Sequence, residues 1–301
     1  MTTGMPLTQF ETAAAVAAAN ADRDAASAAG IAPDAVIALR GVSKSFGPMQ
    51  VLDDVSFDVT RGQITSVLGP SGTGKSVLLN TIIGMYPPEQ GQIYVDGEPI
   101  VGMRHRDLMR VRRKFGVLFQ DGALFGSISL YDNIAFPLRE HTDLTEEQVR
   151  EIVHTKADMV GLVKHLGKMP GEVSGGMKKR AGLARALALD PEIVFFDEPD
   201  SGLDPVRVAH LDELMKSVQA VTGCTFFVIT HNIDSVRRTA DHIGMLFRSK
   251  LVAFGPADEV LASERPIVEQ FFAGRARGPI GMDEMVDAEV DLDVADELYS
   301  A

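Results

Sequence analysis

The fold of this chain is decided by the stretch Gly69-Pro70-Ser71-Gly72-Thr73-Gly74-Lys75-Ser76. The stretch fits the pattern G-x-x-x-x-G-K-[ST], in which the backbone N–H groups of a glycine-rich loop surround phosphate groups. The apolar residues 64–68 before it predict a buried strand, and residues 77–83 after it predict a helix. Because the motif requires a strand, a loop and a helix in this order, we expect a phosphate site at the start of the helix.

The residues of this loop have separate expected roles. Lys75 is expected to reach the β- and γ-phosphates of a nucleoside triphosphate, and the Ser76 hydroxyl is expected to bind Mg²⁺. The other loop residues, together with Val77 at the start of the helix, are expected to contact the nucleotide. The alternative is a glycine-rich turn that fits the pattern by chance, and the flanking strand and helix argue against it.

Composition narrows the class of protein. The chain has 301 residues with 45% apolar content, which is normal for a soluble globular protein. Its net charge of −13 argues against a general nucleic-acid binder, because that class needs a basic surface. The single cysteine, Cys224, lies in an apolar run and cannot form an internal disulfide. We interpret it as a core residue in a reducing compartment rather than as a nucleophile.

Nothing in the sequence predicts direct insertion into a membrane. The apolar runs are of strand length, far below the ~20 residues that cross a bilayer. The N-terminus lacks the basic region and apolar block of a secretory signal. We therefore expect a soluble chain that reaches a membrane only through a partner.

The sequence divides into three predicted parts. Residues 1–34 form a leader with eleven alanines between Glu11 and Gly30, which predicts a disordered or fraying helical arm, with a docking helix as the alternative. Residues 35–275 are predicted to form one folded domain. Residues 276–301 form an acidic tail, in which a solvated segment and a segment that docks on a partner remain equally open. Its carboxylates are Asp283, Glu284, Asp287, Glu289, Asp291, Asp293, Asp296 and Glu297.

Hydrophobic patterns place the folded part in the α/β class. Strand patterns at 35–39, 55–59 and 93–98 predict a small antiparallel layer beside a parallel sheet. Residues 243–247 and 250–255 predict a closing hairpin.

Two further segments favour helices. Residues 121–190 are amphipathic, and a capping box from Thr145 to Gln148 opens one of their helices. The basic residues within 103–114 are interpreted as a solvated helix face, with a phosphate or membrane contact as the alternative.

Polar side chains follow three apolar strand patterns, at the point where each pattern ends. Gln120 ends the pattern 115–120, Asp197 and Glu198 follow residues 193–196, and His231 ends the pattern 226–231. The carboxyl ends of parallel strands meet at one edge of an α/β sheet, and the glycine-rich loop leaves the same edge. The sequence therefore predicts one nucleotide site assembled from four strand ends.

The two adjacent carboxylates have separable expected roles. Asp197 is expected to hold Mg²⁺, and Glu198 is expected to orient or deprotonate the attacking water. His231 is a candidate contact to the γ-phosphate, although a lone histidine at a strand end is usually structural.

A second helix start has a phosphate-binding pattern. Ser174 is suited to be an N-cap, and Gly175 and Gly176 allow a ligand to approach the backbone closely. The alternative is an ordinary glycine-rich cap.

From about residue 36 to 273, this set of motifs resembles the ATPase subunits of ABC transporters. The resemblance implies a P-loop NTPase of RecA-like core, with an antiparallel β layer and a helical subdomain at about 121–190. It implies that Phe46 stacks on adenine, that Gln120 is the Q-loop glutamine and a further Mg²⁺ ligand, and that His231 is the switch histidine. By the same resemblance 69–76 is Walker A, 173–177 the signature, 194–198 Walker B and 201–204 the D-loop, with Asp204 at the nucleotide. Two departures are Phe46 in place of a common tyrosine and Met177 in place of the signature glutamine.

A narrower resemblance is to the ATPases of Mce/Mla lipid-transport systems. It is carried by residues 119–125 and 136–142, by the Ser-Gly-Gly-Met of the signature, and by 179–186, which is similar in actinobacterial members. It implies ATP and Mg²⁺ as cofactors, a lipid as transported substrate, and a place at the cytoplasmic face of the inner membrane. It also implies as partners a permease, Mce/Mla substrate-binding proteins and a second copy of the chain. Nucleic acid is not an expected partner.

Three alternatives stay open at this point. One is an ATPase of a different transporter, the second is a soluble ABC ATPase acting on nucleic acid or ribosomes, and the third is a scaffold that binds ATP as a switch. The acidic balance argues against the second, and Glu198 argues against the third. Within the helical subdomain, Leu124, Phe125 and Phe136 are predicted to contact the permease, with core packing as the competing explanation.

Overall fold

The computed structural model describes residues 29–120 and 122–281. The hypotheses on the acidic residues of the tail and on most of the alanine-rich leader therefore lie outside the described residues. A six-stranded sheet forms the centre, in the order β10-β9-β3-β8-β7-β6. Its strands are β3 (Ile64–Leu68), β6 (Phe115–Leu118), β7 (Ile193–Asp197), β8 (Thr225–Ile229), β9 (His242–Phe247) and β10 (Lys250–Pro256). Every pairing in it is parallel except that of β9 with β10, which confirms the predicted closing hairpin.

A second sheet of four antiparallel strands has the order β2-β1-β4-β5. It comprises β1 (Ala35–Phe46), β2 (Met49–Thr60), β4 (Gln90–Val95) and β5 (Glu98–Pro99). This confirms the antiparallel layer, although β1 and β2 are longer than the patterns indicated. The two strands form a hairpin whose turn lies next to the glycine-rich loop.

Nine α-helices of the described residues surround the sheets. They are α1 (Lys75–Ile82), α2 (His105–Arg112), α3 (Leu130–His141), α4 (Glu146–Met159), α5 (Gly175–Ala186), α6 (Pro205–Thr222), α7 (Ile233–Thr239), α8 (Ala257–Leu261) and α9 (Pro266–Ala273). The predicted capping box opens α4, where the Thr145 and Gln148 side chains each accept a hydrogen bond from the other's backbone N–H. Within the described part of the chain, no helix has the length and apolar character needed to cross a membrane.

The central strands are apolar on both faces because both faces are covered, as parallel sheets require. In β7, Phe195 packs with the antiparallel layer and α1, whereas Phe196 packs with α3, α4 and α5 on the opposite face. β8 repeats this alternation, with Phe227 on the first face and Phe226 on the second. The sheet is thus held between two cores, and its carboxyl edge is left for ligands.

Cys224 is buried, and its thiol donates a hydrogen bond to the carbonyl of Pro191, with 3.0 Å between sulfur and oxygen. This confirms its interpretation as a core residue.

Two interpretations need correction. The prediction that β6 continues to Gln120 is wrong, because the strand ends at Leu118 and Gly122 N donates to the Phe119 carbonyl at 2.8 Å in a turn. The strand pattern 226–231 is also too long, because β8 ends at Ile229 and His231 follows the strand. Leu124 is partly buried and packs against the core of the helical subdomain, which favours core packing for this residue, and its contact with the permease stays a prediction.

Candidate active site

A cavity of about 460 Å³ lies where α1 leaves the sheet. It is lined by Phe46, Met49, Gln50, Val51, residues 71–77, Glu198, Phe247, Arg248 and Ser249. Most of the glycine-rich loop therefore faces one concave space, together with the predicted base Glu198 and the predicted adenine contact Phe46.

The backbone of this loop needs glycine at two positions for a physical reason. Gly74 caps α1 with φ +95°, and a Cβ there would lie 2.7 Å from the Val51 carbonyl oxygen. Gly69 has φ +150°, and a Cβ there would lie 2.1 Å from the Leu246 carbonyl oxygen. The loop is thus pressed against β2 and β9 so closely that side chains are excluded, which fixes its shape before any nucleotide binds.

Lys75 is buried at the centre of the loop, with 6% of its surface exposed. Its Nζ donates to the carbonyl oxygens of Gly69 at 2.9 Å and Pro70 at 2.7 Å. No residue of the first turn of α1 is acidic, so the helix start itself adds no negative charge beside its N–H groups. The ammonium group and the helix start together form an anion site.

The two main candidates for holding Mg²⁺ contact each other, since Ser76 Oγ donates to Asp197 Oδ1 at 3.1 Å. The pKa of the Asp197 carboxyl is raised, chiefly by burial and further by the negative charge of Glu198. The hydrogen bond from Ser76 and the positive charge of Lys75 partly offset this rise. Among the described residues, no group of three or more His, Cys, Asp or Glu side chains could hold a metal alone. The donor set still fits Mg²⁺, which commonly takes one or two protein oxygens and completes its shell with phosphates and water.

Glu198 and His231 are also brought together, with 3.4 Å between Glu198 Oε1 and His231 Nδ1. The Glu198 backbone has φ +46°, a left-handed conformation that costs a residue with a Cβ about 1–2 kcal/mol. A hydrogen bond from Glu198 N to the Ile229 carbonyl at 2.8 Å holds this conformation. The carboxylate is therefore aimed by the backbone toward the cavity, and such local strain is common at functional sites.

Gln120 is placed differently from the other predicted site residues. It is exposed in the turn after β6 and does not line the cavity of the glycine-rich loop. Its role as a Mg²⁺ ligand therefore stays a prediction.

Phe46 lies at the mouth of the cavity with 42% of its surface exposed. Its ring meets Tyr86 edge-on at 5.5 Å between centroids, and Lys44 Nζ lies 5.2 Å from the ring centroid. The exposed ring is available for stacking with a base.

The predicted signature starts α5 on the surface. The Ser174 side chain caps the helix, with its Oγ accepting a hydrogen bond from Met177 N at 3.3 Å. A Cβ added to Gly175 would meet nothing within 4 Å, so the chain's own packing does not require glycine there. An open glycine in a helix start leaves room for a molecule from outside the chain.

The signature and the glycine-rich loop line separate spaces in this chain. Ser174 and Gly176 border a groove of about 470 Å³ with Met177, Leu203 and Arg207, and none of these residues lines the loop cavity. Asp204 caps α6 by accepting a hydrogen bond from Arg207 N at 3.0 Å, and it lines neither space.

Sequence reasoning missed the wall formed by two hairpin turns. Ser249 Oγ donates to the Gln50 carbonyl at 3.0 Å, and Asp53 N donates to the Ser249 carbonyl at 2.8 Å. This joins the turn between β9 and β10 to the β1–β2 hairpin, and it places Arg248 on the cavity wall. No local motif marks these residues, because a contact between segments about 200 positions apart produces no spacing pattern in the sequence. The one available signal was the cation Arg248 in the turn of the predicted 243–255 hairpin.

A family model described as ABC transporter matches residues 52–201. The chain is 53% identical to the probable ribonucleotide transport ATP-binding protein mkl of Mycobacterium leprae over 251 residues, 83% of this chain and 72% of the relative. It is 42% identical to the intermembrane phospholipid transport system ATP-binding protein MlaF of Escherichia coli over 245 residues, 81% of this chain and 91% of the relative.

Solved structures give the same result for the fold. The structure of cbiO1 from Clostridium perfringens, part of the ABC transporter complex cbiONQ, matches with a TM-score of 0.72 and 28% identity, covering 79% of this chain and 94% of that one. A dimeric ATP-binding cassette bound to ADP and phosphate after hydrolysis matches with a TM-score of 0.67 and 28% identity, covering 73% and 98%. The resemblance drawn from the motifs is confirmed: this chain belongs to the ABC transporter family, as an ATP-binding subunit that hydrolyses ATP to energise transport.

Proposed function

We propose that this chain hydrolyses ATP with Mg²⁺ in sites shared between two copies, and that it drives lipid transport through a membrane permease. The observation that carries the catalytic part is the meeting of Lys75, Ser76, Asp197, Glu198 and His231 at one sheet edge.

Each side chain has a role that follows from its position. Lys75 leaves its loop carbonyls to bind the β- and γ-phosphates, while the backbone N–H groups of the loop hold the phosphate oxygens. Ser76 and Asp197 hold Mg²⁺, which supplies charge stabilisation at the phosphates. Glu198 orients the attacking water and accepts its proton, and His231, 3.4 Å from that carboxylate, contacts the γ-phosphate oxygens.

Sharing of the site is supported by the separation of the two phosphate-binding helix starts. The signature lines a groove of its own, and its open Gly175 has no packing role within the chain. A related cassette is dimeric with ADP and phosphate. Two copies around a two-fold axis complete two sites, with Ser174, Gly175 and Gly176 of each copy closing over the nucleotide of the other.

Mixing two inactive variants tests the shared site. Ser174→Arg places bulk and charge at the signature, and Lys75→Ala removes the phosphate contact, so each variant alone should be inactive. In a mixed dimer one shared site carries both defects and the other carries none. We expect ATPase activity to return, up to about one quarter of the wild-type rate for random pairing in a two-fold dimer. An assembled mixture as inactive as its parents, together with an ATP-bound structure in which Ser174 lies far from every phosphate, would reject the shared site.

Permease docking is supported by an exposed aromatic pair on the helical subdomain. Phe125 and Phe136 are 45% and 40% exposed, and their ring centroids lie 4.8 Å apart. They line a groove of about 570 Å³ that also contains Arg112, Arg113, His141 and Arg185.

The segment that carries Phe125 is held rigidly. Fully buried Asn133 accepts a hydrogen bond from Phe125 N at 2.7 Å and donates one to the Phe125 carbonyl at 3.1 Å. A preorganised, exposed aromatic pair is typical of an interface anchor. Attachment to a permease through this pair would hold the chain at the cytoplasmic face of the inner membrane.

Substitution of the aromatic pair tests the docking surface. Phe125→Ser and Phe136→Ser should abolish copurification with the permease while shifting Tm by less than about 2 °C, since both rings are already exposed. Val221→Ser is the matched control, because Val221 is 75% exposed at the end of α6 and away from the groove. A large fall in Tm with the first two variants would show that the rings belong to the core.

The lipid substrate is supported by the Mce/Mla resemblance and by the phospholipid transport system named for the relative MlaF. The relative mkl is named for ribonucleotide transport, so the two candidates differ in chemical class. ATPase activity of the reconstituted complex should rise when phospholipid is supplied and should not respond to ribonucleotides other than ATP. The reverse response would reject the lipid assignment.

A further inference from the structure

Lys179 is a buried cation in the second turn of the signature helix α5, with 5% of its surface exposed. Its Nζ donates to the Ser201 carbonyl at 2.6 Å and to Ser201 Oγ at 3.1 Å, and it lies 3.5 Å from the Glu198 carbonyl oxygen. These acceptors all belong to the segment between β7 and α6, which carries the proposed catalytic base. The signature helix is thus tied directly to that segment.

The same segment holds a buried carboxylate of opposite charge. Asp200 is 6% exposed, and its Oδ1 accepts a hydrogen bond from Thr230 Oγ1 at 2.8 Å. Thr230 follows β8, and its Oγ1 also accepts a hydrogen bond from Asn232 N at 3.0 Å. His231, the proposed γ-phosphate contact, lies between these two residues. These contacts therefore link α5 to the base segment, and the base segment to Thr230 and Asn232, the residues on either side of the histidine.

Burying two charges is costly, and well-packed apolar residues often stabilise a fold as well or better. Stability alone is therefore a weak explanation for the burial of Lys179 and Asp200. Their hydrogen bonds define a specific geometry between α5, the base segment and the residue that follows β8.

We propose that Lys179 and Asp200 are positioning residues that couple the two ATP sites of the dimer. The inference rests on the proposed shared site, in which the α5 start of one copy contacts the nucleotide of the other. Lys179 lies five residues after Ser174, about 7.5 Å along a rigid helix. A shift of α5 on contact with the partner's nucleotide therefore moves Ser201 and the Glu198 backbone of its own copy. Occupation of one site thereby adjusts the base and the histidine at the other.

The test uses the full-length chain and measures kcat, KM for ATP and the Hill coefficient. Lys179→Gln keeps a hydrogen-bond donor but removes the charge, and Thr230→Val removes the hydroxyl that joins Asp200 to Asn232. Each variant should lower kcat about 10-fold, leave KM within about 2-fold, and bring the Hill coefficient toward 1. Lys178→Gln, the same change one residue earlier on a partly exposed lysine, should behave as wild type.

The double variant tests whether the two residues act in one network. Lys179→Gln with Thr230→Val should lower kcat by roughly 10–30-fold, whereas independent effects would multiply to about 100-fold. A wild-type Hill coefficient of 1, a coefficient that Lys179→Gln leaves unchanged, or multiplicative losses would overturn the coupling. If Lys179→Gln does not fold, the Hill coefficient of Thr230→Val decides in the same way.

A separate measurement distinguishes failure of this inference from failure of the shared site. The Glu198→Gln chain should dimerise with ATP, and so should Glu198→Gln combined with Lys179→Gln. If the first does not dimerise, the shared site is wrong and the coupling is rejected with it. If both dimerise while kcat and the Hill coefficient of Lys179→Gln remain those of wild type, only the coupling is rejected.

Discussion

The helix starts at Lys75 and at Ser174 both offer N-terminal N–H groups, but they differ in their surroundings. The first is walled by two hairpins, and its lysine is buried among the loop carbonyls. The second is exposed, capped only by its own serine, and open beside Gly175. The helix start at Lys75 is preorganised within one chain, whereas the helix start at Ser174 is an open surface that another molecule could complete.

The largest expected effect concerns Glu198, the carboxylate that follows β7 and faces the same cavity as the first helix start. Glu198→Gln removes the proton acceptor while keeping shape, so ATP turnover should fall by about 10²–10⁴-fold with ATP affinity nearly unchanged. Because hydrolysis is blocked, ATP should hold two copies together through the second helix start, and dimer stability should increase with ATP concentration.

Turnover assays paired with nucleotide titration and sedimentation check this prediction. Lys75→Ala is the contrast, since it should weaken ATP binding itself. Wild-type turnover by Glu198→Gln would reject the base assignment.

Replacing one glycine at each helix start by alanine, Gly74 at the first and Gly175 at the second, tests the difference between the two sites. At Gly74, the left-handed φ and the Val51 carbonyl oppose a Cβ, so Gly74→Ala should lower Tm by about 4–8 °C. At Gly175, a Cβ meets nothing in the chain, so Gly175→Ala should leave Tm within about 2 °C.

The activity of Gly175→Ala should nevertheless fall at least ~10-fold, because a methyl group displaces the partner's nucleotide from a close contact. Thermal melting and ATPase assays on both variants separate these outcomes. Full activity of Gly175→Ala would indicate that nothing approaches this helix start.

The smallest expected effect is the change in folding stability when Asp197, the carboxyl proposed to hold Mg²⁺, is replaced. The pKa of Asp197 is raised in the folded chain, chiefly by burial. The folded state therefore binds this proton more tightly than the unfolded state, and stability falls as pH rises from the ordinary carboxyl pKa to the raised one.

Without nucleotide or metal at pH 7, Asp197→Asn should raise Tm by about 1–2 °C, since solvent screening keeps the effect small. It should also abolish Mg²⁺-dependent turnover. Melting curves from pH 4 to 8 check this prediction, and an unchanged pH slope in the variant would contradict it.

The sequence predicted the parts of the site whose signals are local. The spacing of the glycine-rich loop, the carboxylates after β7 and the Ser-Gly-Gly cap each depend on neighbours within one strand, turn or helix. Their meeting followed from the rule that parallel strands share a carboxyl edge, and Ser76 with Asp197 and Glu198 with His231 conform to it.

The sequence predictions were less accurate where the same local apolar pattern was compatible with two different structures. Phe119 and Gln120 continue an apolar strand in sequence, but a turn closed at Gly122 removes them from β6. Leu124 and Phe125 are adjacent apolar residues, and only the packing of the helical subdomain directs one inward and the other outward.

By itself the sequence determined the fold class, the phosphate loop and the identities of the catalytic candidates, because backbone geometry and short spacing encode them. Tertiary structure alone decided which distant segments touch. It placed Arg248 and Gln50 on the cavity wall, and it joined buried Lys179 to Ser201 and Asp200 to Thr230. These contacts join residues about 20 to 200 positions apart. The packing of whole elements fixes them, and no local preference of the chain records that packing.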